Sequence, residues 1–275
     1  MENNTINQLD SNQIWSIQGN TVSNILYNQG LTLAGNISST IEANDTHAIQ
    51  DNIVATISNN VGKSINLNNV DYINGNMTKA IDSNTSFLSY SEITDNNVRE
   101  IKDNTDFSYI SFNTGNFITS NTFNSSTYSM IFGNKISSIH SNQNCLIYGN
   151  SVNGINFNID VNEIRYNNLE SISYNYNFDK IYDIAGGKLA SCTGSVGSQA
   201  IVLDQLRNVE IQHMIINTDV INHTFLDSMY YLSLTASTDM QTSTYSTVSR
   251  WVWDLLGHYE EKALSTGMTY SGPIA

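Results

Sequence analysis

Acidic side chains are the residues of this sequence whose types and spacing could support chemistry. Asp160 is followed closely by Glu163, and Asp179 is followed closely by Asp183. Two carboxylates that flank a sugar chain can act as a general acid and as a nucleophile or base, as they do in glycoside-cleaving enzymes. Carboxylates on a solvated face are far commoner. The sequence therefore predicts no catalytic residues and leaves polysaccharide cleavage as the alternative.

Other signals for catalysis or cofactor binding are missing from the sequence. It contains no phosphate-binding loop, no Rossmann glycine fingerprint and no nucleophile elbow. Cys145 and Cys192 are predicted to be buried free thiols, with a disulfide as the open alternative. We expect no enzyme activity, no metal and no cofactor. The histidines, which are not spaced as metal ligands, are His47, His140, His213, His223 and His258.

The charge balance narrows the range of partners. The formal net charge is −14, with only 11 Lys and Arg residues. Nucleic acid and anionic membrane surfaces need clustered cations, and the sequence shows no such cluster, so neither is expected as a partner. The first twenty residues are polar, and no apolar run is long enough to cross a bilayer. We therefore expect neither a signal peptide nor a membrane anchor.

An eight-residue repeat organises residues 4–84. We label its positions a to h, with asparagine at b and an aliphatic residue at g. After Asn4 and Asn12, row b is Asn20, Asn28, Asn36, Asn44, Asn52, Asn60, Asn68, Asn76 and Asn84. After Leu9, row g is Ile17, Ile25, Leu33, Ile41, Ile49, Ile57, Ile65, Ile73 and Ile81.

The period of the repeat favours strands over helices. Eight residues advance about 80° beyond two helical turns, so row g would wind around a helix instead of forming a stripe. In a strand an even period returns each residue to the same face. Ile, Val, Thr and Tyr favour strands, whereas Asn and Gly favour bends. Each octad is therefore predicted to be a short strand followed by a bend, with row b stacked as a hydrogen-bonded ladder at the corners.

The repeat is predicted to be irregular between residues 85 and 177. Changes of phase there are predicted to be bulges or small loops in a continuing β structure. The row-b positions assigned beyond residue 84 are Asn96, Asn104, Asn116, Asn124, Asn134, Asn142, Asn150, Asn158, Asn167 and Asn175. Position g is no longer apolar in the octads that begin at Asn116 and Asn124.

Asparagine content divides the chain into two predicted domains. Of the 40 Asn residues, 37 precede residue 178. The sequence predicts a β-helical shaft over 1–180 and a small mixed α/β or β domain over 187–275, with a helix over 247–265. This C-terminal domain would support trimerisation or receptor binding. Its aromatic residues are a candidate recognition surface, with the domain core or trimer contact as the alternative: Tyr230, Tyr231, Trp251 and Trp253.

Two β-solenoid architectures fit an octad. A single chain could coil with three octads in each turn, or three chains could wind around one axis. We expect rows c, e and g to face inward in the single-chain form, because alternate residues share a face. Those rows include Asp45, Lys63, Asp71 and Lys79, and burying unpaired charges is costly. The sequence therefore favours an intertwined homotrimer with row g along the trimer axis.

The octad resembles that of a known structural family. The segment Gly35-Asn36 … Ile41-Glu42 is similar to the octapeptide of the triple-stranded β-helix, which forms the needle of central spike proteins in contractile-tailed phages and related secretion systems. The resemblance covers residues 3–84 and, in patches, 95–176. It implies a trimeric tail fibre or spike shaft that supports host attachment or envelope penetration.

That resemblance also implies partners and a location. The partners would be other virion or tail proteins and a host surface glycan or protein. The protein would lie in the virion after synthesis in the host cytoplasm. The alternative function is that of a single-chain parallel β-helix that binds or cleaves polysaccharide, and a third is that of a non-viral surface adhesin.

Overall fold

The fold is described from a computed structural model of the chain. The chain divides into two compact units, Met1–Ser137 and Ser138–Ala275, and each is described by itself. The described residues contain strands and no helix, which confirms the mainly β prediction. They are 2–13, 15–123, 129–178, 180–182, 184, 188–190 and 192–194, with the backbone alone of 201–206, 210–216, 221–225, 231–236 and 269–273.

Unit 1 is a parallel β-solenoid formed by one chain. Each strand pairs with the strand after next, so odd-numbered strands form one parallel stack (stack 1) and even-numbered strands form another (stack 2). Its strands are β1 Thr5–Asp10, β2 Ser16–Gln18, β3 Thr21–Leu26, β4 Gln29–Ala34, β5 Ile37–Glu42, β6 Asp45–Gln50, β7 Ile53–Ser58, β8 Val61–Asn66, β9 Asn69–Asn74, β10 Met77–Asp82, β11 Glu92–Thr94, β12 Asn97–Lys102, β13 Tyr109–Ser111, β14 Thr114–Thr119 and β15 Met130–Phe132.

One turn of the regular coil contains two octads. Ile25 lies beside Ile41, and Ile41 lies beside Ile57, so each residue is paired with the residue two octads later. The β-solenoid and its octad repeat are confirmed. The prediction of three octads in each single-chain turn is wrong, because two strands and two asparagine corners close a turn.

The rows that face inward also differ from the prediction. Rows b, d and g are turned to the interior, as at Asn20, Val22 and Ile25, and rows c and e are turned to solvent. Strict alternation fails because two residues, e and f, separate the inward rows d and g. Asp45, Lys63 and Lys79 are therefore exposed on the outside of a single-chain coil. The charge argument for three intertwined chains is wrong because these charges are not buried in a single-chain coil. The homotrimer stays a prediction.

Unit 2 contains the same kind of parallel pairing. Strand β17 pairs with β19, β18 with β20, and β22 with β25, all in parallel. The last strand instead pairs antiparallel with β28 and covers its edge. The division between the units falls within β16 Lys135–His140. The remaining strands are β17 Gln143–Tyr148, β18 Ser151–Asn156, β19 Ile159–Arg165, β20 Ser171–Ser173, β21 Tyr176–Phe178, β22 Lys180–Tyr182, β23 Lys188–Ala190, β24 Thr193–Gly194, β25 Ile201–Leu206, β26 Glu210–Ile216, β27 Ile221–Phe225, β28 Tyr231–Ala236 and β29 Thr269–Pro273.

The predicted domain boundary remains a prediction. Parallel pairing is present on both sides of residues 178–187, since β20 pairs with β23 and β23 pairs with β26. The helix predicted over 247–265 lies outside the described residues. Within the part of the chain that the structure describes, no helix is long and apolar enough to span a membrane.

Candidate functional site

The row-b asparagines form two hydrogen-bonded columns in unit 1. The backbone N–H and the side-chain Nδ2 of Asn36 both donate to Oδ1 of Asn52, at 2.9 and 3.0 Å. Asn36 Nδ2 also donates to the Ile17 carbonyl oxygen at 3.0 Å. Each amide therefore joins its own corner to the next turn and to a row-g backbone carbonyl. This arrangement satisfies buried polar groups that would otherwise be costly.

Each asparagine follows a corner residue with left-handed backbone geometry. The residues with positive φ belong to row a, with the exceptions of Asp106, Asn144 and Asp160 among the described residues. Row a contains glycine at some corners but Ala43 and Leu67 at others, with φ of 54° and 56°. Left-handed geometry is strained for residues that carry a Cβ. The asparagine columns therefore hold the chain in corners that are unfavourable for several of the residues that form them.

The columns continue through turns of unequal length. Asn76 bonds to Asn96, 20 residues away, and Asn113 bonds to Asn134, 21 residues away. Between these two turns, Asn96 bonds to Asn113 and Asn104 bonds to Asn121, and the partners of each pair are 17 residues apart in sequence. The assignment of Asn116 to row b is therefore wrong, because Asn113 and Asn121 occupy the corners. Asn116 is exposed, and Asn124 lies outside the described residues.

Sequence reasoning missed Asn113 because it placed a phase change of four residues after Asn104, whereas the next corner follows after only nine residues. A usable signal was present, since Ile118 follows Asn113 by the five residues that separate rows b and g. Ile118 is fully buried and pairs with Ile101. Extra residues that bulge outward from the coil change the number of residues between successive corners, but they leave the buried rows unchanged.

Row g forms the apolar centre of each coil. Ile41, Ile57 and Ile73 are fully buried within the single chain, and Ile93 and Ile110 continue their line through the lengthened turns. The residues predicted to form the trimer axis therefore already pack inside one chain. Their role in a trimer is still a prediction, and burial of row g requires no second copy.

Extra residues in unit 1 are concentrated on stack 1. They precede the short strands β11, β13 and β15, within 85–91, 105–108 and 122–129, of which 124–128 are outside the described residues. We call residues 86–91, within the first of these segments, the inserted loop. The later half-turns rest against it, because Ser108 Oγ donates to the Ser89 carbonyl oxygen at 2.6 Å and Ser91 Oγ donates to the Asp106 carbonyl oxygen at 3.3 Å.

The inserted loop presents large apolar side chains to solvent. Phe87 is 77% exposed, Tyr90 is 71% exposed and Leu88 is 46% exposed. By contrast, Phe107 and Phe123 of the later insertions are buried at 2%. Aromatic side chains on a rigid scaffold are favoured in recognition because they bury a large area at a small cost in conformational entropy. The inserted loop is therefore the candidate binding surface of stack 1.

A second aromatic group on stack 1 consists of Tyr109 in β13, Phe112 at the corner after β13, and Phe132 in β15. The Phe132 ring contacts Tyr109 edge-on at 6.2 Å between centroids and Phe112 at 5.1 Å. Phe112 is 54% exposed. These rings rest on one another, which fixes their orientation and gives the same side of unit 1 a rigid aromatic group.

The carboxylate pairs do not form a described catalytic arrangement. Glu163 contacts Lys180 Nζ at 2.9 Å and Arg165 Nε at 3.5 Å, and its side chain is 19% exposed. A carboxylate held between two cations is typical of a structural ion pair. Asp160 occupies a left-handed position with φ of 55°. Asp179 and Asp183 lie outside the described residues, and polysaccharide cleavage remains an untested alternative.

Both cysteines are free and buried in unit 2. Asn142, Asn158 and Asn175 form a column of the same kind in unit 2. Asn175 Nδ2 lies 3.8 Å from Cys192 Sγ, so the thiol stands where the next asparagine of this column would accept. Burial raises the pKa of the Cys192 thiol to about 11, and it also raises the pKa of Cys145. Both thiols are therefore protonated near neutral pH, where they act as small apolar side chains.

The predicted C-terminal recognition residues are not placed. Tyr230, Trp251 and Trp253 lie outside the described residues, and only the backbone of Tyr231 is described, in β28. No group of three or more His, Cys, Asp or Glu side chains suited to a metal ion is present among the residues described. Comparison of the chain with protein-family models, curated proteins and solved structures found no match.

Proposed function

We propose that the chain forms the shaft of a trimeric tail fibre or spike that supports host attachment or envelope penetration. The observation that supports this most is the continuity of the asparagine columns from Asn4 to Asn121 and from Asn12 to Asn134. A scaffold that keeps its corners through turns of unequal length can present loops without losing its core.

The mechanism of such a shaft is mechanical. In unit 1, the parallel pairs place each interior strand between two neighbours in its stack, so few backbone groups remain available for unwanted pairing. The asparagine bonds add a second set of links along the same direction, and row g excludes water from the centre. Unfolding one turn would expose buried amides and apolar side chains together. The shaft is therefore expected to resist local opening.

Trimer formation would use surfaces outside the core. Because row g is buried inside each chain, three copies would meet through outward rows or through residues 187–275. This arrangement differs from the intertwined needle that the octad resembles. It keeps the proposed number of chains and changes the residues that join them.

Measurement of mass in solution tests the proposed shaft. We expect light scattering on the full chain to give about three times the chain mass of 30.5 kDa, and electron microscopy to show elongated particles. A stable monomer that remains monomeric across a concentration series would overturn the trimeric shaft.

The second candidate function is binding or cleavage of polysaccharide by a single chain. The closure of each turn within one chain and the exposed rings of Phe87 and Tyr90 favour it. It predicts a monomer and the release of reducing ends from a bacterial capsule or a pectin-like glycan. Release of sugar ends by the intact chain, lost on substitution of a named carboxylate, would establish cleavage. Binding without release would assign the chain to recognition alone.

A further inference from the structure

Basic side chains form one column on stack 2 of unit 1. Lys63, Lys79 and Arg99 occupy row e of the successive strands β8, β10 and β12, and His47 precedes them on β6. The register places them side by side, since Met77 pairs with both Val61 and Asn97 two residues earlier. All four side chains are exposed. We call Lys63, Lys79 and Arg99 the basic column.

The coil brings together cations that are far apart in sequence. The chain has only 11 Lys and Arg against 25 Asp and Glu, yet three of the 11 stand on three consecutive turns. The expectation that the chain has no cluster of cations is therefore wrong. Sequence reasoning missed the cluster because the interval of 16 or 20 residues between its members depends on the two-octad turn.

The basic column is electrostatically unfavourable in the isolated chain. Neighbouring strands lie about 4.8 Å apart, and like charges directly opposite one another on a sheet are destabilising. None of the ion pairs among the described residues involves Lys63, Lys79 or Arg99. Row e on stack 1 shows that the fold does not need cations at this position, because its members there are Ser23, Ser39, Ala55 and Asp71.

The centre of the basic column has apolar neighbours in row c. Row c beside it contains Val61 and Met77, which are 49% and 56% exposed. The acidic residues on these four strands are Asp45, two residues before His47, Asp82, which is paired with Lys102, and Glu100, which follows Arg99. The centre of the column therefore combines positive charge with exposed apolar side chains. That combination is complementary to an anionic ligand with an apolar face.

We infer that the basic column binds an acidic polysaccharide, with successive cations contacting carboxylates or sulfates along one extended sugar chain. A stack of parallel strands in register presents its cations at a regular interval of about 4.8 Å, which suits a linear polymer with a regularly repeated negative charge. The exposed faces of Val61 and Met77 would contact the apolar faces of the sugar rings. This site is on the opposite stack from the inserted loop and does not depend on the number of chains.

The charge of the rest of the molecule favours this ligand over nucleic acid. Duplex DNA carries one negative charge per about 1.7 Å of its axis and needs many cations for tight binding. Three cations on a chain with a net charge of −14 would leave most of those phosphates facing an acidic surface. A single acidic sugar chain can lie along the column and avoid that surface.

Binding of polygalacturonate to the full chain tests the inference, with calorimetry in low-salt buffer as the measurement. We expect saturable binding that weakens as salt is raised. The double variant Lys63→Gln/Lys79→Gln is expected to lose at least tenfold in affinity. The matched control is Lys102→Gln/Lys180→Gln, which removes the same charge from side chains paired with Asp82 and Glu163. The control is expected to change affinity less than twofold.

Three results would overturn the inference. One is equal affinity of the two double variants, because binding would then follow net charge and not position. Another is equally tight binding of the methyl-esterified polymer, which has lost its carboxylates. The third is tighter binding of a single-stranded or duplex oligonucleotide than of the acidic polymer at the same salt. Unchanged thermal unfolding of both variants would show that a loss of affinity is not a loss of fold.

Discussion

The regular turns from Asn4 to Asn84 and the lengthened turns from Asn84 to Asn134 share one interior but differ on the outside. In both regions row b forms the same amide bonds and row g is fully buried. The half-turns that end in β11, β13 and β15 contain the extra residues, whereas those of stack 2 keep eight residues between Asn76 and Asn84 and between Asn96 and Asn104. The corners and the core therefore fix the coil, and the outer face of stack 1 is free to vary.

Placing a charge in row g is expected to have the largest effect on the regular turns. Ile57 is fully buried, and Ile57→Asp would place a carboxylate among apolar side chains. We expect a loss of more than about 4 kcal/mol in the free energy of unfolding, measured by denaturant titration of the full chain. The matched control is Ile53→Asp on the same strand, where the side chain is 53% exposed, and its effect is expected to stay within about 1 kcal/mol.

The same substitution in the lengthened turns sharpens the comparison. Ile110→Asp is expected to be as damaging as Ile57→Asp, because Ile110 is also fully buried. A folded Ile110→Asp protein beside an unfolded Ile57→Asp protein would show that the lengthened turns have a weaker interior. Because row g is internal to one chain, these variants report on the coil and do not report on trimer assembly.

Removal of a row-b amide should have the next largest effect. Asn52→Ala removes the Oδ1 acceptor of the backbone N–H and Nδ2 of Asn36, and Asn113→Ala removes the acceptor of the same groups of Asn96. Each unsatisfied buried donor costs about 1 to 3 kcal/mol, so we expect each variant to lose about 3 kcal/mol in the free energy of unfolding.

An asparagine outside the columns provides the control for that prediction. Asn97 is exposed in row c, and Asn97→Ala is expected to leave the free energy of unfolding unchanged within about 0.5 kcal/mol. If Asn113→Ala costs less than half of what Asn52→Ala costs, the columns do not fix the corners equally in the two regions.

The β-solenoid could be predicted from Asn36 and Ile41 and their equivalents, because a period of eight excludes a stable helical stripe and returns a strand to the same face. The asparagine ladder was predicted on the same grounds. The residue that adopts left-handed geometry could not be read from the repeat, since φ is positive at row a and not at the asparagine itself. The row-b amide stabilises the corner through its hydrogen bonds, whereas the preceding row-a residue provides the left-handed backbone geometry.

The number of octads in a turn could not be predicted, because row g is compatible with coils of different size. The inward rows were predicted from alternation, which fails where residues e and f both lie outside. As a result Lys63 and Lys79 were counted as buried charges, and they instead stand on an exposed face beside Arg99. The charges in row e that made the sequence favour three intertwined chains are thus the charges that form the basic column.

Shortening the inserted loop should have the smallest effect on stability. It tests whether stability depends on the interior rows alone or also on the residues outside the coil. Residues 87–90 contain the exposed Phe87, Leu88 and Tyr90. Their deletion leaves Asn84-Thr85-Ser86-Ser91-Glu92-Ile93-Thr94-Asp95 before Asn96, which is a complete octad with asparagine at b and isoleucine at g. Loop closure changes slowly with length. The deletion removes two hydrogen bonds that involve side chains, from Ser108 to Ser89 and from Leu88 to Ser86. We expect the free energy of unfolding to change by no more than about 1 kcal/mol.

A deletion of equal length in a regular turn is the control for this last prediction. Removal of residues 38–41 takes Ile41 from the core and puts Asn44 out of reach of its corner, so the chain is expected not to fold. If deletion of 87–90 were as damaging, the four residues would be part of the coil and not an insertion upon it. If the deletion is tolerated, the shortened protein can be used to test binding by the inserted loop without a loss of stability. A ligand that binds the full chain but not the shortened protein would be assigned to the deleted side chains.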